Sequence, residues 1–246
     1  MATLEVKGLR KVYPGFTLQD ISFSVEPGTV MGLIGRNGAG KTTTLKALLN
    51  LIRTDGGEIR YFGLPLQAHE QEIKQRIGYA CGAVDYYPRR KIADLLAVTR
   101  RFYPQWDDAL CSRYLRAFSI DPEKTPRELS EGMRVKLNLV PALSHHAELL
   151  LLDEPTSGLD PVSRAELLDV FAFLREQGVA ILYSTHITSD LEKCADAITY
   201  LHQGSLRASA PMAEFLAAQA AAGFGATLEE IMVNREKEDL HETFGA

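Results

Sequence analysis

Gly35-Arg36-Asn37-Gly38-Ala39-Gly40-Lys41-Thr42-Thr43 fills the pattern G-x-x-x-x-G-K-[ST] from Gly35 to Thr42, with an added glycine at Gly38. The apolar run Val30 to Ile34 leads into it and a helical pattern, Thr43 to Leu51, leads out, which is the strand-loop-helix setting that the pattern requires. Glycines at 35, 38 and 40 let the backbone curl so that consecutive N–H groups face inward, and the following helix adds its positive N-terminal end. A polyanion suits such a cradle. Gly35, Asn37, Gly38, Ala39, Gly40 and Thr43 would surround the phosphates, Lys41 would reach the β- and γ-phosphates, and the Thr42 hydroxyl would ligate Mg²⁺. A lysine directly after Gly-x-Gly has no packing reason to be there, which disfavours a plain glycine turn before an ordinary helix.

Composition limits what a bound triphosphate could serve. The chain has 246 residues, 46% of them hydrophobic, enough for one large domain or for a core with a subdomain. Its net charge of −5, with acidic and basic residues interspersed, argues against a surface built to neutralise many phosphates, so nucleic acid is not an expected partner. Cys81, Cys111 and Cys194 are widely spaced and lack a Cys-x-x-Cys pair, which fits a reducing compartment and neither a disulfide framework nor a zinc site. Met1 to Leu9 carries Glu5 and Lys7 where a secretory signal would be apolar, and no stretch approaches a membrane span, so any membrane role is expected to come through a partner.

Upstream of the phosphate loop, Leu4 to Gly8 and Phe16 to Val25 alternate as strands, closed by Pro27-Gly28, and predict an antiparallel region. Tyr13 precedes the turn Pro14-Gly15, where its ring could stack on an adenine or could simply cover a hairpin edge; spacing alone does not choose. Downstream, Gly56-Gly57 with Ile59, Tyr61 and Phe62 predicts a turn and strand, Glu70 to Arg76 a short helix, and Ile77 to Ala80 a short strand ending in Cys81-Gly82. From about Ala83 to Ala147 the apolar residues fall at helical spacing, a helical insertion between two α/β segments. Within it Ser130 reads locally as the N-cap of a helix beginning near Gly132, and His145-His146 as a helix end rather than a metal site.

The α/β pattern returns at Leu149 to Leu152, a strand buried on both faces that delivers Asp153 and Glu154 to its carboxyl end, the edge where open α/β sheets bind ligands. Two adjacent carboxylates would cost several kcal/mol each if simply buried, so a cation or a wet cleft is expected beside them. Beside a phosphate loop the division is Asp153 supporting Mg²⁺, through a water, and Glu154 orienting and deprotonating the attacking water. Asp160 and Pro161 open a helix, Val162 to Gln177, and Val179 to Ser184 is a second buried strand ending in Thr185-His186. His186 shares the carboxyl edge with Gly35 and Glu154 if the sheet is parallel, placed to contact a γ-phosphate or the water. Ile198 to Leu201, a turn at Gln203-Gly204 and Leu206 make a last strand pair, and Pro211 to Ala222 and Thr227 to Val233 are expected as helices packed on the core.

Taken together, these segments resemble, in order and over nearly the whole length, the ATP-binding subunit of ABC transporters: Tyr13 as the adenine-stacking aromatic, Gly35 to Thr43 as Walker A, Leu129 to Met133 as the signature, Leu149 to Glu154 as Walker B, Ser157 to Asp160 as the D-loop and His186 as the switch histidine. The segment Arg101 to Asp107 further resembles small bacterial half-transporter ATPases, including the Ytr type, associated with export or drug resistance. The resemblance implies an α/β fold: a P-loop NTPase, RecA-like core over 1–82 and 148–208 with an antiparallel β subdomain, a helical subdomain over 83–147 carrying the signature, and a helical tail over 209–246. It implies catalytic roles for Glu154, His186 and Lys41, and a head-to-tail homo- or heterodimer with ATP held between the Walker A of one chain and Ser130 and Gly132 of the other, beside Asp160. It also implies ATP and Mg²⁺ as cofactors, a separate integral membrane permease as partner, and a place on the cytoplasmic face of the cell membrane.

Two departures from the family pattern stand out. Ile-Gly-Tyr-x-x-Gln reads here Ile77-Gly78-Tyr79-Ala80-Cys81-Gly82, so Gly82 replaces the Mg²⁺-touching glutamine, with altered coupling to the partner as the expectation. The signature has Glu131 and Met133 where Gly and Gln are commoner, while Ser130 and Gly132 are kept. The alternatives to a transport ATPase are a soluble ABC ATPase that remodels a cytosolic partner and an ATP-dependent clamp that binds without useful hydrolysis.

Overall fold

The computed structural model describes residues 1–81 and 87–244, with side chains through 235 and at 237. The chain opens with a hairpin, β1 (Leu4–Tyr13) and β2 (Phe16–Val25), followed by β3 (Val30–Ile34) and α1 (Lys41–Leu48). Next come β4 (Gly56–Tyr61), β5 (Leu64–Pro65), α2 (Glu70–Lys74) and β6 (Ile77–Cys81). The insertion holds α3 (Ile92–Arg100), α4 (Asp108–Ala117) and α5 (Glu131–Ser144). The α/β part resumes with β7 (Leu149–Asp153), α6 (Pro161–Glu176), β8 (Ala180–Ser184), α7 (Thr188–Cys194), β9 (Ala197–His202) and β10 (Ser205–Pro211), and the tail is α8 (Met212–Ala221) and α9 (Leu228–Phe244).

Among the described residues the strands join in the order β5-β4-β1-β2-β10-β9-β3-β8-β7-β6. Each of the first four is antiparallel to its neighbour, while β3, β6, β7, β8 and β9 run parallel, so the loops after β3, β7 and β8 all open on one edge. Leu149 to Leu152 shows why that part reads as unbroken apolar sequence. Leu149 and Leu151 enter the core shared with β1, β2 and α1, Leu150 and Leu152 enter the core shared with the insertion and α6, and all four are fully buried. Each such burial is worth about 1.5–3 kcal/mol relative to exposure.

Three boundaries differ from the sequence reading for local reasons. β1 runs on past Gly8, which takes φ +57 and donates its N–H to Ser22 Oγ at 2.8 Å, making a bulge where a strand end was expected. The helix after the phosphate loop starts two residues early and stops at Leu48, because Asn50 adopts φ +55 and the N–H groups of Asn50 and Leu51 return to the carbonyls of Ala47 and Lys46. α9 runs well beyond Val233. No helix among the described residues is long and apolar enough to cross a membrane.

α5 ties the insertion to the sheet. Its Ala142 lies so close to β6 that a Cβ on Gly78 would fall 2.3 Å from the alanine Cβ. As expected from the sequence, the helix ends at His145-His146. His145 is only 1% exposed and its ring stacks on Tyr103, centroids 3.9 Å apart and planes 6° apart. Burial pushes its pKa down to about 4, so it sits neutral in the fold.

Candidate nucleotide site

The phosphate loop is folded tightly on itself. Gly35, Gly38 and Gly40 have φ of +149, +86 and +109, and Gly40, as the left-handed residue capping α1, leaves no room for a side chain: a Cβ there would lie 2.7 Å from Leu18 Cδ1. Lys41, 6% exposed, folds back over the loop and donates to the Gly35 carbonyl at 2.6 Å. The loop is also stapled to the β9–β10 turn, where Gly204 N–H donates to the Ala39 carbonyl at 3.1 Å. Asn37 and Thr43 lie on the same loop and first helical turn.

The register β6-β7-β8 brings the carboxylates alongside. Cys81 pairs with Asp153 and Asp153 with Ser184, at the carboxyl ends of their strands. Asp153 Oδ1 accepts from Ser184 Oγ at 2.6 Å and from Thr42 Oγ1 at 3.4 Å, so a hydroxyl from α1 and a carboxylate from β7 face each other. Glu154 takes φ +51, a left-handed backbone that costs a non-glycine residue about 1–2 kcal/mol. Its N–H holds that conformation by donating to the carbonyl and to Oγ of Ser184, each at 3.1 Å. The twist aims the carboxylate between two partners. Oε1 lies 3.6 Å from Lys41 Nζ, and Oε2 lies 2.8 Å from Nδ1 of half-exposed His186. Strain held in place by surrounding bonds is characteristic of working sites.

A second group forms where α5 meets α6. Ser130 caps α5, accepting from Met133 N–H at 3.2 Å, as its position in the sequence suggested. Gly132 is packed so tightly that a Cβ would fall 2.7 Å from Ser163 Oγ, and that hydroxyl donates to Asp160 Oδ2 at 2.6 Å. Asp160 caps α6 through the N–H groups of Val162 and Ser163; the Ser163 hydroxyl and then its N–H hold the carboxyl below its ordinary pKa. Ser130 and Asp160 are exposed while Gly132 is buried beneath them, so the group opens outward at its two capping residues.

Tyr13 stands opposite Phe16 across the hairpin turn, 37% exposed, with the Lys11 ammonium 5.3 Å from its ring centroid. Phe16 is the aromatic in contact with the loop, since a Cβ on Gly40 would lie 3.3 Å from its Cζ. Sequence reasoning missed Phe16 and Ser184. A two-residue turn makes residues 13 and 16 cross-strand partners on one face, and a hydroxyl ending the strand next to Asp153 is the natural donor to it, so both had a signal. Gly82 lies outside the described residues.

A glycine loop cradling Lys41 at the head of α1, facing strand-end carboxylates on a parallel sheet, defines a P-loop protein that binds nucleoside triphosphates. Comparisons with known proteins narrow the class. A family model described as ABC transporter matches residues 18–157. The chain is 34% identical over 205 residues to the ABC transporter ATP-binding protein YtrB of Bacillus subtilis (strain 168), covering 82% of this chain and 70% of that protein. It is 33% identical over 210 residues to the Nod factor export ATP-binding protein I of Burkholderia orbicola (strain AU 1054), covering 83% and 69%. The solved structure of an ATP-binding subunit of an ABC transporter superposes with a TM-score of 0.83 at 30% identity, covering 94% of this chain and 98% of that one. The chain belongs to the ABC transporter family as an ATP-binding, ATP-hydrolysing subunit.

Proposed function

We propose that the chain works as one half of a dimeric ATPase that powers a separate membrane permease for export, from the cytoplasmic face of the membrane. The observation that carries the reading is the convergence of Lys41, Thr42, Asp153, Glu154 and His186 on one edge, with Glu154 held in a strained backbone between Lys41 and His186. Thr42 Oγ1 would give Mg²⁺ the hard oxygen ligand it prefers and Asp153 Oδ1 would support the ion through a water, and when bound the ion would neutralise phosphate charge there. Ser184 orients Asp153 for that duty. Lys41 would exchange the Gly35 carbonyl for phosphate oxygens, which also loosens its attraction to Glu154. Glu154 would then accept the proton of the attacking water while His186 holds the carboxylate by Oε2. Ser130 and Gly132 would meet the γ-phosphate of a partner subunit's nucleotide, so that hydrolysis removes the charge bridging the pair and lets it reopen. Export is supported by relatives such as the Nod factor export protein.

Tagging the chain in its own cell at native level, extracting membranes in mild detergent and identifying what copurifies tests the transport reading. A multi-span protein is the expected companion. Recovery of soluble proteins alone would replace the reading with remodelling of a cytosolic partner.

A further inference from the structure

Glu131 is the residue at which this signature departs most in charge, and its place is unusual. It is the first residue of α5, next to Ser130, and it is exposed. Its side chain lies over the D-loop of its own chain: a Cβ built on Gly158 would fall 2.7 Å from Glu131 Oε1 and 3.3 Å from Cδ. Gly158 has φ +78, a left-handed backbone that favours glycine at that point of the D-loop. One turn further along, Lys136 on α5 pairs with Glu166 on α6, and Gly132 abuts Ser163 between the two contacts. The seam from the signature to the D-loop is therefore closed within one chain, with the Glu131 carboxylate at its open, solvent-facing end. Among the described residues no lysine or arginine pairs with Glu131.

We infer that Glu131 sets the threshold for ATP-driven closure of the dimer, because its carboxylate, without a lysine or arginine partner among the described residues, both rests on the D-loop and occupies the helix end that must receive a γ-phosphate. The inference deepens the head-to-tail reading above and rests on it. A carboxylate at the first position of a helix already satisfies the positive pole that would attract phosphate, and a second anion brought beside it is opposed by like-charge repulsion. Closure then needs more protein or more nucleotide than in a chain with an uncharged residue there, and the deficit shrinks as salt screens the pair. Glu131 touches no reacting atom; it acts as a specificity-determining residue of the interface.

Glu131→Gln keeps the size of the side chain and removes only its charge. In full-length chain carrying Glu154→Gln, which slows hydrolysis, sedimentation equilibrium with MgATP measures closure directly, and MgADP serves as the blank. The Glu131→Gln protein is expected to dimerise at about 5- to 30-fold lower concentration in 50 mM salt, with the gap narrowing at 300 mM. Glu131→Asp, which keeps the charge, is expected to remain near the parent. Equal dimerisation of parent and Glu131→Gln at both salt concentrations overturns the inference while leaving the sandwich intact. Absence of any ATP-dependent dimer in either protein overturns the sandwich itself, and the inference with it.

Discussion

The phosphate edge and the helix that carries the signature differ in how much of their chemistry lies inside one chain. At the edge, each charged group already has a partner from another element: Lys41 faces Glu154, Asp153 takes Ser184 and Thr42, and Glu154 takes His186. α5 is settled at one end and open at the other. Its C-terminal end is buried through the His145–Tyr103 stack, while Ser130 and Glu131 at its N-terminal end face solvent. Internal charge pairing makes the first region a preformed machine whose parts fail singly. The second region leaves Ser130 and Glu131 exposed, and on the dimer reading proposed above these residues should show their function only with a partner subunit.

The sharpest break of that contrast is at Glu154. Glu154→Gln should lower ATP turnover by about 10²- to 10⁴-fold while leaving ATP binding intact, read by phosphate release and by nucleotide affinity on the same protein. Near-normal turnover would remove Glu154 as the base and leave its strained backbone without a functional explanation.

The settled end of α5 makes a stability prediction with a definite sign. His145 has a folded pKa of about 4 against an ordinary value near 6.5, so as pH falls the unfolded chain takes up a proton first. The stabilisation is complete above pH 6.5 and is lost on the way down to pH 4, up to about 3 kcal/mol in all. His145→Phe keeps a ring against Tyr103 and cannot protonate. Denaturant unfolding at pH 7 and pH 4 should therefore show the variant gaining on the parent by about that amount, and parallel profiles would show that acid opens the stack without a cost.

At the open end, capping and phosphate recognition can be separated. Ser130→Ala loses the bond to Met133 N–H and should cost about 1 kcal/mol of stability, whereas Ser130→Asp caps as well as serine and should cost close to nothing. Both should reduce turnover at least about tenfold, the aspartate by placing a charge against the γ-phosphate. Full turnover in Ser130→Asp would confine Ser130 to its cap.

How legible each region is in the sequence follows the same contrast. Leu149 to Glu154 could be read outright, because a strand buried on both faces admits few spellings and two carboxylates at its end need a cation or a cleft. The parallel order that puts His186 beside Glu154 follows once β7 and β8 are recognised as buried strands. Ser184 escaped because a strand-end serine is ordinary until the register pairs it with Asp153. The seam between Glu131 and Gly158 joins residues far apart in the chain and depends on how α5 lies on α6, which no local pattern encodes. The bulge at Gly8 was misread for the reverse reason: glycine marks a break in one strand and an extra residue in another with the same letter.

Tyr13 carries the smallest expected effect and the one that spacing alone could not decide. Its ring is 37% exposed and its cross-strand neighbour Phe16 is the residue in contact with Gly40, so Tyr13 stands beside the aromatic that touches the phosphate loop. If that surface receives the base, Tyr13→Ala should weaken ATP binding by about 1 kcal/mol, roughly five- to tenfold, with turnover at saturating ATP unchanged, because stacking holds the nucleotide without touching the reacting phosphate. GTP should lose as much, since stacking reads the face of a base and not its edge. If Tyr13 only covers a hairpin edge, Tyr13→Ala lowers the unfolding temperature slightly and leaves both affinities where they were. Phe16→Ala supplies the contrast: it removes packing beneath Gly40 and should disturb binding and turnover together, so a Tyr13 variant that behaved like it would place the tyrosine in the loop's support and not in the base site.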